Sequence, residues 1–516
     1  MSGLLAPCCS GMDMPDPDPA HLCVGVVVPS LAPAAWIGQA LNNLAATGAH
    51  IVVRVVSGSG TGGLHGWSRV LCAIGGARML PDPDAACPLA DVAGVHVVAD
   101  FVDLDVDVVF HVGVAGDTAT ETAPMGVWEV SVGGRDTGSD TGLWETLQED
   151  GAVDLGLRRV DAPGWLRPSA SRVQRLSPAT TRARALWRAA LLPTRALGDL
   201  LARRDAGTPT GAVAPRRPLS AGVVLSGSTR LARRAVATGV RRQLARNEWF
   251  VACGIDMAGP VPQWSRMTPL VAPRDRFWAD PFPVVDGDRA CIFVEEWPYA
   301  LGRGILAALE IQRDGTWRHL GTILEQPWHL SHPFIFRWQN ETWMMPESSA
   351  AGTLELYRCV AYPLRWQHEC TLMQDVRIVD ATLHEGEDRW WLFGNIGVGQ
   401  ISTHEELHLF FADTPLGPWI PHPANPVVAD PRTARPAGKL LQWDGRWCRP
   451  AQDCGGRYGS ALWIHEIVEW TPTRYSERPR QRLEPQLMAG ANRMHTLNRD
   501  GWLTVVDGHR DRWWPT

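Results

Sequence analysis

Hydrophobic and polar positions in the second half of the chain follow a cadence that returns about every fifty residues. Each unit opens on a charged or polar residue ahead of a short hydrophobic strand, passes a polar turn and enters a Trp-rich strand. The openings are Trp278-Ala-Asp-Pro-Phe, Ser331-His-Pro-Phe-Ile-Phe, Val379-Asp-Ala-Thr-Leu, Ala434-Arg-Pro-Ala-Gly and Arg493-Met-His-Thr-Leu. The turns are Asp286-Gly-Asp, Gln339-Asn-Glu, Glu385-Gly-Glu-Asp, Asp444-Gly and Asp500-Gly. Repeats of this length built from short strands form radial blades around an axis. Five openings predict an all-β five-bladed propeller over residues 247–516. They aim Asp280, His332, Asp380, Arg435 and His495 at one central funnel.

The first half has a different rhythm. Residues 1–20 are rich in Pro, Asp and Gly and read as a disordered leader. Residues 21–165 alternate strand and helix. Cys23-Val-Gly-Val-Val-Val and His50-Ile-Val-Val-Arg-Val-Val read as strands, as does Val106-Asp-Val-Val-Phe-His-Val, and Ala34–Ala46 carries Trp36, Ile37, Leu41 and Leu44 at helical spacing. This pattern predicts an α/β domain with a parallel sheet. Residues 166–246 read as an Arg-rich helical linker, with helices near Ala183–Arg204 and Arg230–Arg246. Interleaved Leu and Ala, and the lack of a stacking aromatic set, argue for a solvated connector rather than a nucleic-acid arm.

Length and composition fit this division. A chain of 516 residues exceeds one ordinary core. A net charge of −6 gives no general attraction to nucleic acid or anionic membrane. All but one of the 49 basic residues are Arg, the exception being Lys439. This bias runs through every region and reads as codon usage. The 11 Cys show no zinc-like spacing or disulfide framework, which with the lack of a signal-peptide pattern predicts reduced thiols and a cytoplasmic setting. No apolar run approaches the roughly 20 residues of a membrane span. All but six of the 25 Trp fall in the propeller region. Most are expected between blades, with some lining a sugar-binding floor.

The openings resemble those of glycoside hydrolase family 43, the arabinanase and β-xylosidase type of propeller. More closely, residues 260–511 resemble the N-terminal region of plant glucosamine inositolphosphorylceramide transferases. The segments that carry this are Phe277-Trp-Ala-Asp-Pro-Phe, Trp343-Met-Met-Pro-Glu-Ser, Asp380-Ala-Thr-Leu-His-Glu, Leu407-His-Leu-Phe-Phe-Ala-Asp-Thr-Pro-Leu-Gly-Pro-Trp and Ala434-Arg-Pro-Ala-Gly. Family 43 enzymes invert with a base that activates water and an acid that protonates the leaving oxygen. The resemblance implies Asp280 as that base and Asp380 as its pKa-tuning partner. The family's acid is a Glu opening the fourth blade, where this chain has Arg435, a group that cannot give up a proton at working pH. Glu347 is then the candidate acid, with Glu385 the second choice. Alternatively, Arg435, Lys439 and His332 form an anion pocket for a phosphate, nucleotide sugar or lipid head group. Trp278, His332, Glu385, Arg435, Lys439 and His495 make up the candidate substrate-binding set. The family often places a fifth-blade His beside a central cation, and His495 matches that place. No metal ligand set and no cofactor is otherwise called for.

In the first half, Gly58-Ser-Gly-Thr-Gly-Gly63 fits G-x-G-x-x-G but follows the second strand rather than the first, and reads as a connector. Leu104-Asp-Val-Asp-Val-Val-Phe-His-Val-Gly, Met125-Gly-Val-Trp-Glu-Val and Gly142-Leu-Trp-Glu-Thr-Leu resemble a methionyl-tRNA-formyltransferase-type domain. Active members polarise the formyl group with an Asn, a His and an Asp. Here Trp-Glu-Val-Ser-Val-Gly-Gly follows Val127 with no His or Asn, and His111 lies ahead of the motif. The domain reads as a degenerate scaffold. The expectation is therefore a carbohydrate-active protein that hydrolyses or transfers a glycosyl group of a glycan, glycoconjugate or sugar phosphate in the funnel. The alternatives are a non-catalytic glycan-recognition module for a partner glycosyltransferase, and formyl transfer to an amino sugar.

Overall fold

The computed structural model describes residues 21–56, 80–114, 121–133, 140–160, 167–201 and 220–513. The expectations for residues 1–20 and for the Gly58–Gly63 loop lie outside these residues.

The N-terminal domain is built on a seven-stranded sheet of β1 (Cys23–Val28), β2 (His50–Val55), β3 (Val95–Val98), β4 (Val108–His111), β5 (Val127–Val132), β6 (Ala152–Arg159) and β7 (Arg167–Arg172), in the order β3-β2-β1-β4-β5-β6-β7. The first five strands run parallel. Val24 and Val26–Val28 of β1 are buried, as both-face coverage of a parallel strand requires. Helix α1 (Ala35–Ala45) buries Trp36, Ile37, Leu41 and Leu44, the residues at helical spacing in the sequence. The expected all-parallel sheet is corrected to a mixed one, because β6 is antiparallel to both its neighbours. Only residues 160–166 join β6 to β7. A parallel crossover needs about a dozen residues or more, so that connection can only reverse the chain.

Part of the stretch read as linker belongs to this domain. Strand β7 is the sheet edge, and helices α3 (Pro178–Ala189) and α4 (Leu192–Leu201), which follow the short α2 (Leu143–Gln148), add Ala185, Leu186, Ala189, Leu192 and Leu197 to the sheet's core. Helix α5 (Ala221–Leu244) behaves as the expected solvated segment and buries only Gly227, where an added Cβ would lie 2.7 Å from Leu147.

The C-terminal domain is a five-bladed propeller made of five four-stranded sheets. Four blades run in chain order, each from an inner strand near the axis: β10 (Arg276–Asp286), β14 (Ser331–Trp338), β18 (Ile378–Glu385) and β22 (Leu441–Trp443). The fifth is a composite. Strands β26 (Leu497–Asp500) and β27 (Leu503–Trp513) come from its end, β8 (Ala245–Ile255) and β9 (Thr268–Leu270) from its beginning. Strands β27 and β8 pair antiparallel from Leu503↔Ile255 to Trp513↔Ala245. This closure removes the two sheet edges an open ring would expose. The polar turns fall at the inner-strand hairpins as the cadence predicts. Gln339 and Asn340 both have positive φ, which suits the right-handed twist of the strands they join. Trp278, Trp343, Trp390 and Trp391 are buried in the clusters between blades. Among the described residues no helix is long and apolar enough to cross a membrane.

Candidate functional site

The first three inner strands begin with the same local device. Pairing with the second strand skips between Ala279 and Phe282, between Ser331 and Phe334, and between Val379 and Thr382. Each gap holds one residue in the left-handed region, Asp280 (φ 49), His332 (φ 44) or Asp380 (φ 50). In two of the three a Pro follows, whose missing N–H cannot join the ladder. Such a bulge re-aims a side chain, and here it turns all three toward the axis. The fourth and fifth openings come before their strands, held by single bridges, Pro436↔Ala451 and Arg493↔His509. Gly438 ends the fourth opening because a Cβ there would lie 2.3 Å from the Leu497 carbonyl oxygen.

The five residues meet in one network. Asp280 accepts from the His332 backbone N–H (3.1 Å) and the Thr496 hydroxyl (2.8 Å). Its own N–H donates to Asp507 (3.1 Å). Asp507 also accepts from the N–H groups of His495 and Thr496, both at 2.9 Å, and pairs with His495 Nδ1. His495 Nε2 then lies 3.7 Å from Asp280 Oδ1. Asp380 takes the Arg435 fork, Nε at 2.6 Å and Nη2 at 3.1 Å, together with the Gln452 amide at 2.5 Å. Its N–H donates to Glu347 Oε2 (3.3 Å). His332 Nδ1 sits 3.7 Å from Asp380 Oδ1, too far for a hydrogen bond but close enough for charge to be felt. Arg435 also donates from Nη1 to His404 Nδ1 at 2.7 Å and lies with its Cζ 4.9 Å from the centre of the Tyr458 ring. Trp249 stacks on His495 with centroids 4.0 Å apart. Every member of the five is under 8% exposed.

Burial sets the proton affinities apart. Glu347 is pushed up to about 8, by desolvation first and the Asp380 charge second. Glu295 of β11 (Arg289–Pro298) is held well above the carboxylate range by burial and by the charges of Asp280, Glu347, Asp507 and Asp380. Asp380 goes the other way. Burial alone would raise it, but Arg435 and His332 hold it far down. His495 is raised because Asp507 and Asp280 outweigh desolvation. His332 is lowered by burial. A neutral carboxylic acid, an ionised Asp and an imidazole poised to carry charge thus share one buried cluster, the distribution that acid–base chemistry requires.

Asp280, His332, Glu347, Asp380, Arg435 and His495 are brought together. Three other candidates lie elsewhere. Trp278 is buried in the cluster between the first and fifth blades, its indole N–H donating to Glu296 at 2.9 Å. Glu385 ends β18 at the opposite, hairpin end of the axis, beside Asp286, Arg337 and Asn340 around a cavity of about 550 Å³. Lys439 also points to that end, with Asp500 and Arg337 as its charged neighbours and Nζ 5.6 Å from the Phe334 ring centre. The expected pocket of Arg435, Lys439 and His332 is therefore not assembled, and Arg435 is closed off by Asp380 and His404. Glu295, Gln452, Asp507, His404 and Tyr458 complete the site and were missed. A signal existed for one of them, since Glu295 breaks the apolar strand run Cys291–Val294.

Asp280, His495 and Asp507 offer ligand atoms within 4.8 Å of one another. They fit a cation poorly. Asp507 is committed to three backbone N–H groups and to His495 Nδ1, which leaves one Asp280 oxygen and His495 Nε2. A hard cation such as Ca²⁺ takes about six to eight oxygens.

Residues 247–509 match the profile of the family described as glucosamine inositolphosphorylceramide transferase 1, N-terminal. Among curated proteins, the chain is 35% identical over 248 residues to glucosamine inositolphosphorylceramide transferase 1 of Oryza sativa subsp. japonica, covering 45% of this chain and 33% of the relative. It is 35% identical over 237 residues to the protein of that name from Arabidopsis thaliana, covering 45% and 31%. The match thus spans about a third of the length of these relatives. Among solved structures, Zg3597, a family 117 glycoside hydrolase of Zobellia galactanivorans, aligns with a TM-score of 0.35 at 13% identity over 52% of this chain and 91% of its own. An exo-1,5-α-L-arabinanase from a bovine ruminal metagenomic library aligns with a TM-score of 0.33 at 11% identity, over 46% and 95%.

Proposed function

Because the chain belongs, through residues 247–509, to the glucosamine inositolphosphorylceramide transferase 1 N-terminal family, we propose that its propeller processes the sugar of a glycan or glycoconjugate at the axial cluster. Glu347 is the acid, protonated near neutral pH and able to give its proton to a departing oxygen. Asp280 is the base or the carboxylate that faces the sugar carbon. His495 on one side and His332 on the other restrain it. Asp380 and Arg435 are positioning residues, since the guanidinium keeps Asp380 ionised beside Glu347 and so holds the proton on Glu347. The observation that carries this reading is the pair of oppositely tuned carboxyls, Glu347 and Asp380, joined through the Asp380 N–H within the buried cluster where all five blade openings meet.

The test uses the full chain and a panel of glycosides and glycosyl conjugates, comparing wild type with Asp280→Asn and Glu347→Gln. Expected is a fall in kcat of roughly 10²–10⁴-fold in each variant with ligand binding retained, the range a positioned proton-transfer group contributes. Unchanged turnover in Asp280→Asn rejects the assignment. A second reading is favoured by one feature, Arg435 standing at the fourth opening where the resemblance implies an acid. On that reading the funnel recognises a glycan for a partner glycosyltransferase. It predicts binding without turnover in wild type and in both variants. We read the N-terminal domain as a formyltransferase-like scaffold without formyl transfer. Its His111 is buried and hydrogen-bonded to Glu121 at 2.7 Å, an arrangement that supports a structural role.

A further inference from the structure

The N-terminal domain meets the propeller at the end of the axis where the inner strands begin. There the Ala170 N–H donates to the Ala429 carbonyl at 2.8 Å, and Glu405 accepts from the Arg172 N–H at 2.7 Å. The opposite, hairpin end carries a cavity of its own. Three consecutive inner strands finish around it, β10 at Asp286, β14 at Arg337 and Trp338, and β18 at Glu385. Asn340 of the β14 turn and Tyr362 from an outer turn of the second blade complete the wall. All of these except the half-buried Trp338 are exposed. The volume of about 550 Å³ is within the range of small-molecule sites, about 300–1,000 Å³. Strand β18 runs from Ile378 to Glu385, so most of its length separates this cavity from Asp380 and the axial cluster.

The polar groups of this wall are unspent. Elsewhere on the blades, surface arginines are paired: Arg313 with Asp256 at 2.7 Å, Arg358 with Glu341 at 3.1 Å and Arg389 with Asp388 at 2.6 Å. Among the described residues, the side chains of Asp286, Arg337, Asn340 and Glu385 have no hydrogen bond or ion pair, although they line one concavity. Two rings add apolar faces. Trp338 lies against Trp343 with centroids 5.7 Å apart, and Tyr362, 44% exposed, packs edge-on to Phe293 at 6.2 Å. Both rings are set in place before any ligand arrives, which lowers the ordering cost of binding. The chemistry selects among ligands. A net anion would meet Asp286 and Glu385, and a net cation would meet Arg337, so part of the wall opposes an ionic ligand of either sign. A neutral polyol meets no such opposition. Its hydroxyls donate to the carboxylates and accept from the guanidinium and amide, while the C–H face of a pyranose covers an aromatic ring.

We propose that this hairpin-end cavity is a second ligand site, which holds an uncharged saccharide unit by hydrogen bonds to Asp286, Arg337, Asn340 and Glu385 and by stacking on Trp338 or Tyr362. It is a binding site without a chemical step, and it stands independently of the function proposed for the axial cluster.

The test is calorimetric titration of the full chain with cellobiose, lactose, mannobiose, xylobiose and diacetylchitobiose, and with glucuronate and glucosamine as charged counterparts. Wild type is compared with Glu385→Ala, Arg337→Ala, Trp338→Ala and Asp280→Asn. Expected is binding of at least one neutral disaccharide by wild type that weakens about tenfold or more in Glu385→Ala and in Arg337→Ala, the weight of a charge-assisted hydrogen bond. Both side chains are exposed, so these two variants should melt at the wild-type temperature, and they carry the test if Trp338→Ala fails to fold. Asp280→Asn should bind the same sugar as wild type does. A sugar that also enters the axial cluster gives two sites in wild type and one in the hairpin-end variants. Binding of equal strength and stoichiometry in Glu385→Ala and Arg337→Ala overturns the site, as does no binding of any neutral disaccharide. Binding of glucuronate or glucosamine alone overturns the ligand class. Loss of the same binding in Asp280→Asn contradicts a separate site.

Discussion

Glu347 and Asp380 are neighbouring carboxyls whose environments pull them in opposite directions, and the consequence is measurable as stability. Glu347 titrates near 8 in the folded chain against an ordinary 4.5. Between those values the native state holds more protons than the unfolded state, so this group's contribution falls as pH rises, by at most about 1.4 kcal/mol per pH unit. Glu347→Gln carries no such proton. Its denaturant-derived stability relative to wild type is expected to climb from pH 5 to pH 8 and then level off; a difference that stays flat across this window refutes the raised acid. Asp380 has the reverse sign, its contribution being present above its unfolded pKa and lost on acidification. Removing its partner exposes the dependence. Arg435→Met leaves Asp380 buried and unpaired, which is expected to cost about 3–5 kcal/mol, with part regained in Arg435→Met/Asp380→Asn. Equal losses in the single and double variants contradict the pairing. The five opening residues were legible because they recur at one place in a repeat. Glu385 and Lys439 were grouped with them only by nearness in sequence. Glu385 is five steps along an extended strand from Asp380, roughly 17 Å at about 3.3 Å per residue, which carries it to the other end of the axis.

At the scale of the element, the bulged openings explain why the site residues are of the types seen. A left-handed residue inside a strand carries a penalty for any side chain, smallest for Gly and reduced for Asp and Asn. His332 has φ 44, a strained conformation for any residue with a Cβ, and the hydrogen bond from its N–H to Asp280 helps to hold it there. Replacement should therefore invert the usual strand preference. His332→Gly is expected to be at least as stable as His332→Ala, while at Thr342 in the neighbouring strand β15 (Glu341–Ser348) Ala should exceed Gly by about 0.5–1 kcal/mol. Urea midpoints that rank Ala above Gly at both positions remove the strain argument. Hairpin turns and inner strands could be foreseen because their signals are local. The composite fifth blade could not, since the pairing of Trp513 with Ala245 joins positions that no periodicity relates. The antiparallel β6 was hidden likewise, because a buried strand reads as the same apolar run in either direction.

For the whole molecule the decisive feature is the seam between domains, and it explains why residues 167–201 read as a linker in the sequence. Their Arg-rich composition suggested a solvated surface, but much of that charge is consumed by two adjacent carboxylates on the propeller. Arg188 is completely buried and contacts Glu405 and Glu406, which are themselves 1% and 0% exposed. Such a triad, more than two hundred residues apart in sequence, has no signature in a single chain. It is expected to make the two domains unfold as one unit, because opening the seam would strand two carboxylates and the guanidinium groups of Arg188 and Arg195, whose geometry is set for one another. Arg188→Ala leaves Glu405 without its ion-pair partner and Glu406 with Arg195 alone. The expected calorimetric trace passes from one transition to two, the earlier belonging to the domain no longer supported by its neighbour, with a loss of about 3–5 kcal/mol at the seam. Arg188→Ala combined with Glu405→Gln and Glu406→Gln should recover part of this loss, since the uncompensated charges are then gone, whereas Arg195, left without its carboxylate, keeps the recovery incomplete. A single transition retained in Arg188→Ala would mean that the remaining contacts, Arg195 with Glu406 and the Ala170 N–H with the Ala429 carbonyl among them, suffice to couple the domains.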